Sequence, residues 1–169
     1  MSAEPSLSRG LLASLALAAP PRVLLLRHAD REAIAPGDAG ERTPLTALGE
    51  RRTAMLRAEL GRPPDWALSS PLLRCTRTVE LLGARPMLST LLGAPGAFVV
   101  DERRGGEVFA EHGTATVVRK QLGGETWGCM RSLEAGARML VDEILTYLHA
   151  QDGTGVAISH DAIVMPVIA

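Results

Sequence analysis

The stretch "VLLLRHADRE", Val23 to Glu32, decides how the rest of the chain is read. Four apolar residues, Val23 to Leu26, run without alternation into Arg27 and His28. A continuous apolar run predicts a strand covered on both faces, the kind found in a mostly parallel sheet with helices on either side. Arg27 and His28 then have two readings. They begin a solvated loop, or they carry a guanidinium and an imidazole into a pocket beyond the strand's carboxyl end, where open parallel sheets bind their ligands.

Working outward, residues 22–27 form the first expected strand and 29–44 a charged loop rich in Gly, Pro and Ala. "TPLTALGERRTAMLRAELG" reads as a helix, with Thr46 as N-cap, Gly61 as stop, and Leu48, Met55, Leu56 and Leu60 on one face. "WALS", Trp66 to Ser69, is a second strand. Ser70 is expected to cap the next helix, with Pro71 in its first position, running through "LLRCTRTVELLG". "AFVV", Ala97 to Val100, reads as a third strand. Residues 101–131 are Gly-rich and polar with no clear period, suggesting a lid or insertion over the active face. Residues 132–150 carry the clearest amphipathic stripe: Leu133, Ala137, Leu140, Val141, Ile144 and Leu148. "GVAIS", Gly155 to Ser159, is the fourth strand. This alternation predicts an α/β protein, a three-layer α/β/α sandwich on a mostly parallel sheet.

The bulk properties fit one domain. The chain has 169 residues, 46% hydrophobic and 22% charged, enough to bury a core. A net charge of −1 gives no pull toward nucleic acid or an anionic membrane, and 3% aromatics are too few for a base-stacking platform. The two cysteines, Cys75 and Cys129, show no zinc spacing and make no disulfide scaffold. Residues 1–21 are an N-terminal extension. "RGLLASLALAAPP" has the outline of a secretory signal, but Glu4 and a single Arg nearby speak against export, so a cytoplasmic helix is expected. No apolar run approaches the ~20 residues of a membrane span. Residues 22–169 are the domain itself.

Every expected strand ends in polar groups suited to chemistry: Arg27-His28, Ser69-Ser70 leading to Arg74, Asp101-Glu102, and Ser159-His160-Asp161. Each alone has a plain explanation, as a loop start, a surface arginine, a buried histidine or a charge cluster. Together at four strand ends they describe a pocket for a phosphoryl group, whose oxygens match the forked donors of arginine.

With these residues assembled, the sequence resembles the histidine phosphatase superfamily, which includes the cofactor-dependent phosphoglycerate mutases. "LLLRHADRE" is similar to its strand ending in Arg-His-Gly, "TPLTALGERRTAML" to its "pLTxxGxxQA" helix, and "LSSPLLRCTRTVELL" to its "SSPLxRAxQTA" segment. "VDERRGG" fits the looser "LxExxxG" pattern, and "VAISHDAIV" the strand with the second histidine. The resemblance implies a phosphoglycerate mutase-like fold and a phosphomonoester hydrolase with a phosphohistidine intermediate on His28. Arg27, Arg74 and His160 would hold the phosphoryl oxygens, and Glu102 would protonate the leaving oxygen. No metal or cofactor is implied. The expected partner is a small phosphorylated metabolite or phosphoprotein substrate, with no nucleic acid and no membrane; a homodimer is left open. A mutase-type phosphotransferase and an inactive phosphate-binding module are the alternatives.

Three departures stand out. Ala29 replaces the family's Gly, at a cost of about 1 kcal/mol if the turn needs positive φ. Arg31 and Asp161 match the acid phosphatase branch, where such an Asp is the donor, so Asp161 is the rival of Glu102 and Arg31 a candidate phosphate ligand. The apolar end "AIVMPVIA" follows His160 closely, with a kink expected at Pro166. This end suggests a fragment or a face covered by a partner subunit.

Overall fold

A computed structural model describes residues 21–35, 38 and 40–168. The expected N-terminal helix or signal segment lies outside the described residues. Four strands are present among the described residues: β1 (Arg22–Arg27), β2 (Trp66–Ser69), β3 (Pro86–Leu88) and β4 (Thr154–Ser159). The helices are α1 (Ala47–Leu60), α2 (Leu73–Leu82), α3 (Glu102–His112), α4 (Thr114–Leu122), α5 (Leu133–Ala150) and α6 (Asp161–Ile168), with one 3-10 turn at Thr90–Leu92.

The sheet order is β1-β4-β2-β3, and every pairing is parallel. Side chains alternate between its faces. Val23, Leu25, Trp66, Leu68 and Ala157 join a core with Leu140, Ile144 and Ile163 of α5 and α6. Leu24, Leu26, Ala67, Val156 and Ile158 pack with Cys75, Val79 and Leu82 of α2 and with Leu56 and Leu60 of α1. Apolar residues face both sides of β1 and β4, which is why their sequences run without alternation. The expected three-layer α/β/α sandwich is present. The strands cross closely at Gly155, where an added Cβ would lie 2.1 Å from Trp66 Cε2.

The register sets up the site. Arg27 pairs with Ser159, and Ser69 with Ile158. The carboxyl ends of β1, β4 and β2 are therefore nearly level, and His28, His160 and Ser70 leave adjacent strands at one edge.

Four local expectations are corrected. The third strand is Pro86–Leu88, not Ala97–Val100. Its three residues are too few to show a period, and its proline sits at the first position, where no ladder hydrogen bond is lost. Residues 97–100 form a turn with a single bridge, Val99 to Met130, and Ala97 and Phe98 are buried because they plug the core rather than extend the sheet. Residues 101–131 contain α3 and α4. Asp101 caps α3 by accepting from Arg104 N at 3.0 Å, and Gly105 and Gly106 hide its period from a hydrophobicity reading.

The helix after β2 starts at Leu73. Leu72 is its N-cap and, being apolar, makes no side-chain bond; the Ser70 hydroxyl accepts from Leu72 N at 3.4 Å and lies 2.9 Å from His160 Nε2. In α1, Thr46 caps the helix as expected, accepting from Gly49 N at 2.9 Å. Leu48 and Met55 are 44% and 63% exposed, however, and the buried positions are Gly49 and Thr53. A Cβ at Gly49 would collide with the Asp30 backbone, so the helix seats its small side inward.

Candidate active site

His28 is only 5% exposed at the end of β1. Its Nδ1 lies 2.7 Å from the Ala29 carbonyl oxygen, and Arg74 Nε donates to its Nε2 at 3.2 Å. The two contacts assign the proton: Nδ1 carries it and donates, and Nε2 keeps a lone pair. Ala29 N donates in turn to Thr78 Oγ1 of α2 at 3.2 Å, fixing the loop that holds the ring. The non-glycine residues with positive φ among the described residues are Ala94 and Trp127, so alanine at position 29 carries no left-handed strain.

Arg74 lies at the centre. It is 7% exposed, on the first turn of α2. Besides His28 it donates to the Gly40 carbonyl through Nη1 at 2.5 Å, and its Nη2 lies 3.4 Å from His160 Nδ1. His160 Nε2 lies 2.9 Å from Ser70 Oγ. The two imidazoles meet edge to face, with centroids 5.2 Å apart. Cys75 Sγ sits 3.4 Å from His160 Nε2, and burial pushes its thiol up to about 12, so it stays protonated. Gly93 completes this wall: an added Cβ would lie 2.5 Å from His160 Cδ2.

Burial chiefly lowers the His28 pKa to about 4, against the hydrogen bond to Ala29, with Arg74, Arg27 and Arg31 lowering it further. Burial, then Arg74 and His28, hold His160 at about 3. Desolvation and neighbouring cations both disfavour imidazolium, so both rings are neutral near pH 7.

Arg27 Nε pairs with Asp161 Oδ1 at 2.7 Å across the ends of β1 and α6. Arg31 donates to the Glu32 carbonyl at 2.8 Å and bridges to Leu45. A cavity of about 570 Å³ brings together all seven residues singled out from the sequence: Arg27, His28, Arg31, Arg74, Glu102, His160 and Asp161. Direct contacts join His28, Arg74 and His160 to one another, and Arg27 to Asp161. Glu102 enters the same cavity on the wall made by α3.

Sequence reading set Ser70 at the pocket edge as a helix cap rather than as a partner of His160, and missed Gly93 and the Gly40 carbonyl as parts of this arrangement. Ser70 had a signal in its place between β2 and Arg74. Gly40 and Gly93 had none, because a carbonyl contact and a close approach belong to the fold rather than to residue type.

Residues 23–91 match the model of the histidine phosphatase superfamily (branch 1). No curated protein matches the sequence. Among solved structures, a phosphoserine phosphatase from Entamoeba histolytica in complex with 3-phosphoglyceric acid is 21% identical; the match covers 86% of this chain and 77% of that one, with a TM-score of 0.58. An alpha-ribazole phosphatase from Shigella flexneri is 17% identical over 82% of this chain and 73% of that one, with a TM-score of 0.53. A provisionally assigned phosphohistidine phosphatase SixA from Agrobacterium tumefaciens is 15% identical over 86% and 73%, with a TM-score of 0.52. At these identities the likeness is one of fold.

Proposed function

We propose that this chain, which matches the histidine phosphatase superfamily model over residues 23–91 and shares its fold with solved phosphatases, is a member of that superfamily and hydrolyses phosphomonoesters through a phosphohistidine on His28. The observation that carries the reading is the His28–Arg74–His160 cluster, with His28 and Arg74 buried, at the level ends of adjacent parallel strands. His28 Nδ1–H is held by the Ala29 carbonyl, which orients the Nε2 lone pair. A neutral imidazole so placed is a competent nucleophile at neutral pH.

In the first step His28 Nε2 attacks phosphorus, the bond to the leaving oxygen breaks, and Glu102 gives that oxygen a proton. Arg74 exchanges its bond to Nε2 for the phosphoryl oxygens. Arg27 adds charge from the β1 end, and His160 donates from the β4 end. In the second step a water loses a proton to Glu102 and attacks the phosphohistidine. The N–P bond breaks, releasing inorganic phosphate and restoring His28. Positive charge arranged before the substrate arrives is the main help phosphoryl transfer needs, and the arginines supply it. The bond from Arg27 to Asp161 favours a role for Asp161 in holding that guanidinium, which leaves Glu102 as the proposed proton donor.

Two buried free cysteines fit a reducing compartment, and the cytoplasm is the proposed location. Among the described residues no helix is long and apolar enough to cross a membrane.

The test is turnover of para-nitrophenyl phosphate in excess EDTA by wild type and His28→Ala. Metal-independent turnover that disappears in the variant is expected. Equal rates in the two proteins would overturn the nucleophile assignment.

A further inference from the structure

Helix α3 turns one face to the cavity. Glu102, Gly105, Gly106, Phe109 and Ala110 all line it, at the i, i+3, i+4, i+7 and i+8 spacing of a single helical stripe. This stripe reads as a carboxylate, two glycines, an aromatic ring and a methyl group. The two glycines differ. A Cβ at Gly105 would lie 2.8 Å from Val99 Cγ1, whereas nothing lies within 4 Å of a Cβ at Gly106. The wall therefore has a recess at Gly106, one turn before Phe109. Phe109 packs against the buried cluster of Val117, Cys129 and Met130, which steadies its position. Val99 and Met130 line the cavity too.

The charges divide by origin. Among the described residues, the lining arginines are Arg27, Arg31 and Arg74, from the β1 end, the loop after it and the start of α2. The other charged lining residues are acidic: Asp38, Glu41, Glu102 and Asp161. Helix α3 contributes no cation to the cavity. The volume of about 570 Å³ lies within the range of small-molecule sites and leaves room for an organic group beside the phosphoryl group.

On the reading that the histidine cluster hydrolyses phosphomonoesters, we infer that the substrate is a monophosphate ester of a neutral, apolar or aromatic alcohol, its organic body lodged against α3 at the Gly106 recess and Phe109. Burial against Phe109, Val99 and Met130 favours an apolar body. A second anion would face Glu41 and Asp38 with the arginines already engaged by the phosphoryl group, and like charges in a partly desolvated cavity repel strongly.

Calorimetric binding of two non-hydrolysable ligands, benzylphosphonate and phosphonoacetate, tests this without requiring turnover. Wild type should bind benzylphosphonate at least about tenfold more tightly, a difference of about 1.4 kcal/mol. Gly106→Leu, which fills the recess and replaces glycine with a better helix former, should bring the ratio to within about twofold while the melting temperature holds or rises. Glu41→Gln, at an exposed position, should narrow the ratio from the other side by tightening phosphonoacetate. Equal affinities in wild type, or an unchanged ratio in folded Gly106→Leu, would overturn the assignment. A preserved preference in a protein that turns over no ester would support the α3 wall as the seat of an apolar group and overturn the catalytic reading alone.

Discussion

Replacing Arg74 by methionine removes the group that joins both histidines, and its effects on activity and on stability should separate. The guanidinium contacts His28 Nε2 at 3.2 Å, the Gly40 carbonyl, and His160 Nδ1 at 3.4 Å, while being 7% exposed. A hydrogen bond involving a charged group contributes roughly 1.5–3 kcal/mol. Against that loss, burial disfavours the arginine's own charge, as the lowering of its pKa records, and methionine relieves this penalty while filling part of the space. The net destabilisation should be about 0–2 kcal/mol, read as a shift of the urea midpoint.

Activity has no such compensation. Losing a preorganised donor to a developing anion costs about 10²–10³ in kcat. The charge of Arg74 also lowers both histidine pKa values, so both should titrate higher in the variant, observable as proton-NMR titration of the two imidazoles. Arg74→Lys retains the charge but not the fork, so it should keep the histidines depressed and still lose most of the activity. A kcat/KM within about threefold of wild type in Arg74→Met would refute the reasoning, since the whole arrangement turns on this one side chain.

Further outcomes follow from the same geometry. The folded-state pKa values of His28 and His160, about 4 and about 3, lie below their ordinary 6.5. The unfolded chain therefore binds more protons as pH falls below 6.5, and stability is fully present above that value. It should decline toward pH 4 by up to about 1 kcal/mol per unit for each ring, and His160→Phe should flatten the slope; a midpoint constant between pH 7 and 4.5 would contradict this. Gly155→Ala should destabilise by about 1–3 kcal/mol in urea melts, because its Cβ meets the Trp66 ring. Glu102→Gln should slow esters with poor leaving groups far more than para-nitrophenyl phosphate. Asp161→Asn should instead raise KM for both alike through the loosened Arg27; the opposite pattern would exchange the two roles.

Much of this arrangement was legible because its parts are residue types at strand ends. The apolar run before Arg27 and the one before His160 each predicted a buried strand, and the level register of β1, β4 and β2 turned separate motifs into one edge. Ala97–Val100 misled because an apolar run of four reads alike as a strand or as a plug beneath the sheet. The α3 stripe was invisible for the opposite reason. Its face looks onto a cavity rather than a core, so glycines stand where a hydrophobic period would be sought. Apolarity alone points Leu48 and Met55 inward, whereas the close approach of the Asp30 backbone seats Gly49 there instead. Contacts to carbonyls, such as Arg74 to Gly40, leave no trace in side-chain identity.

The central claim is that His28 accepts the phosphoryl group. Rapid acid-free quenching of the enzyme during turnover of a radiolabelled phosphomonoester, followed by proteolysis and mass spectrometry, tests it directly. The account predicts label on the peptide containing His28, attached through Nε2, stable in base and lost in acid, and absent from His28→Ala. Label on another residue, or steady turnover in a His28→Ala protein, would contradict it.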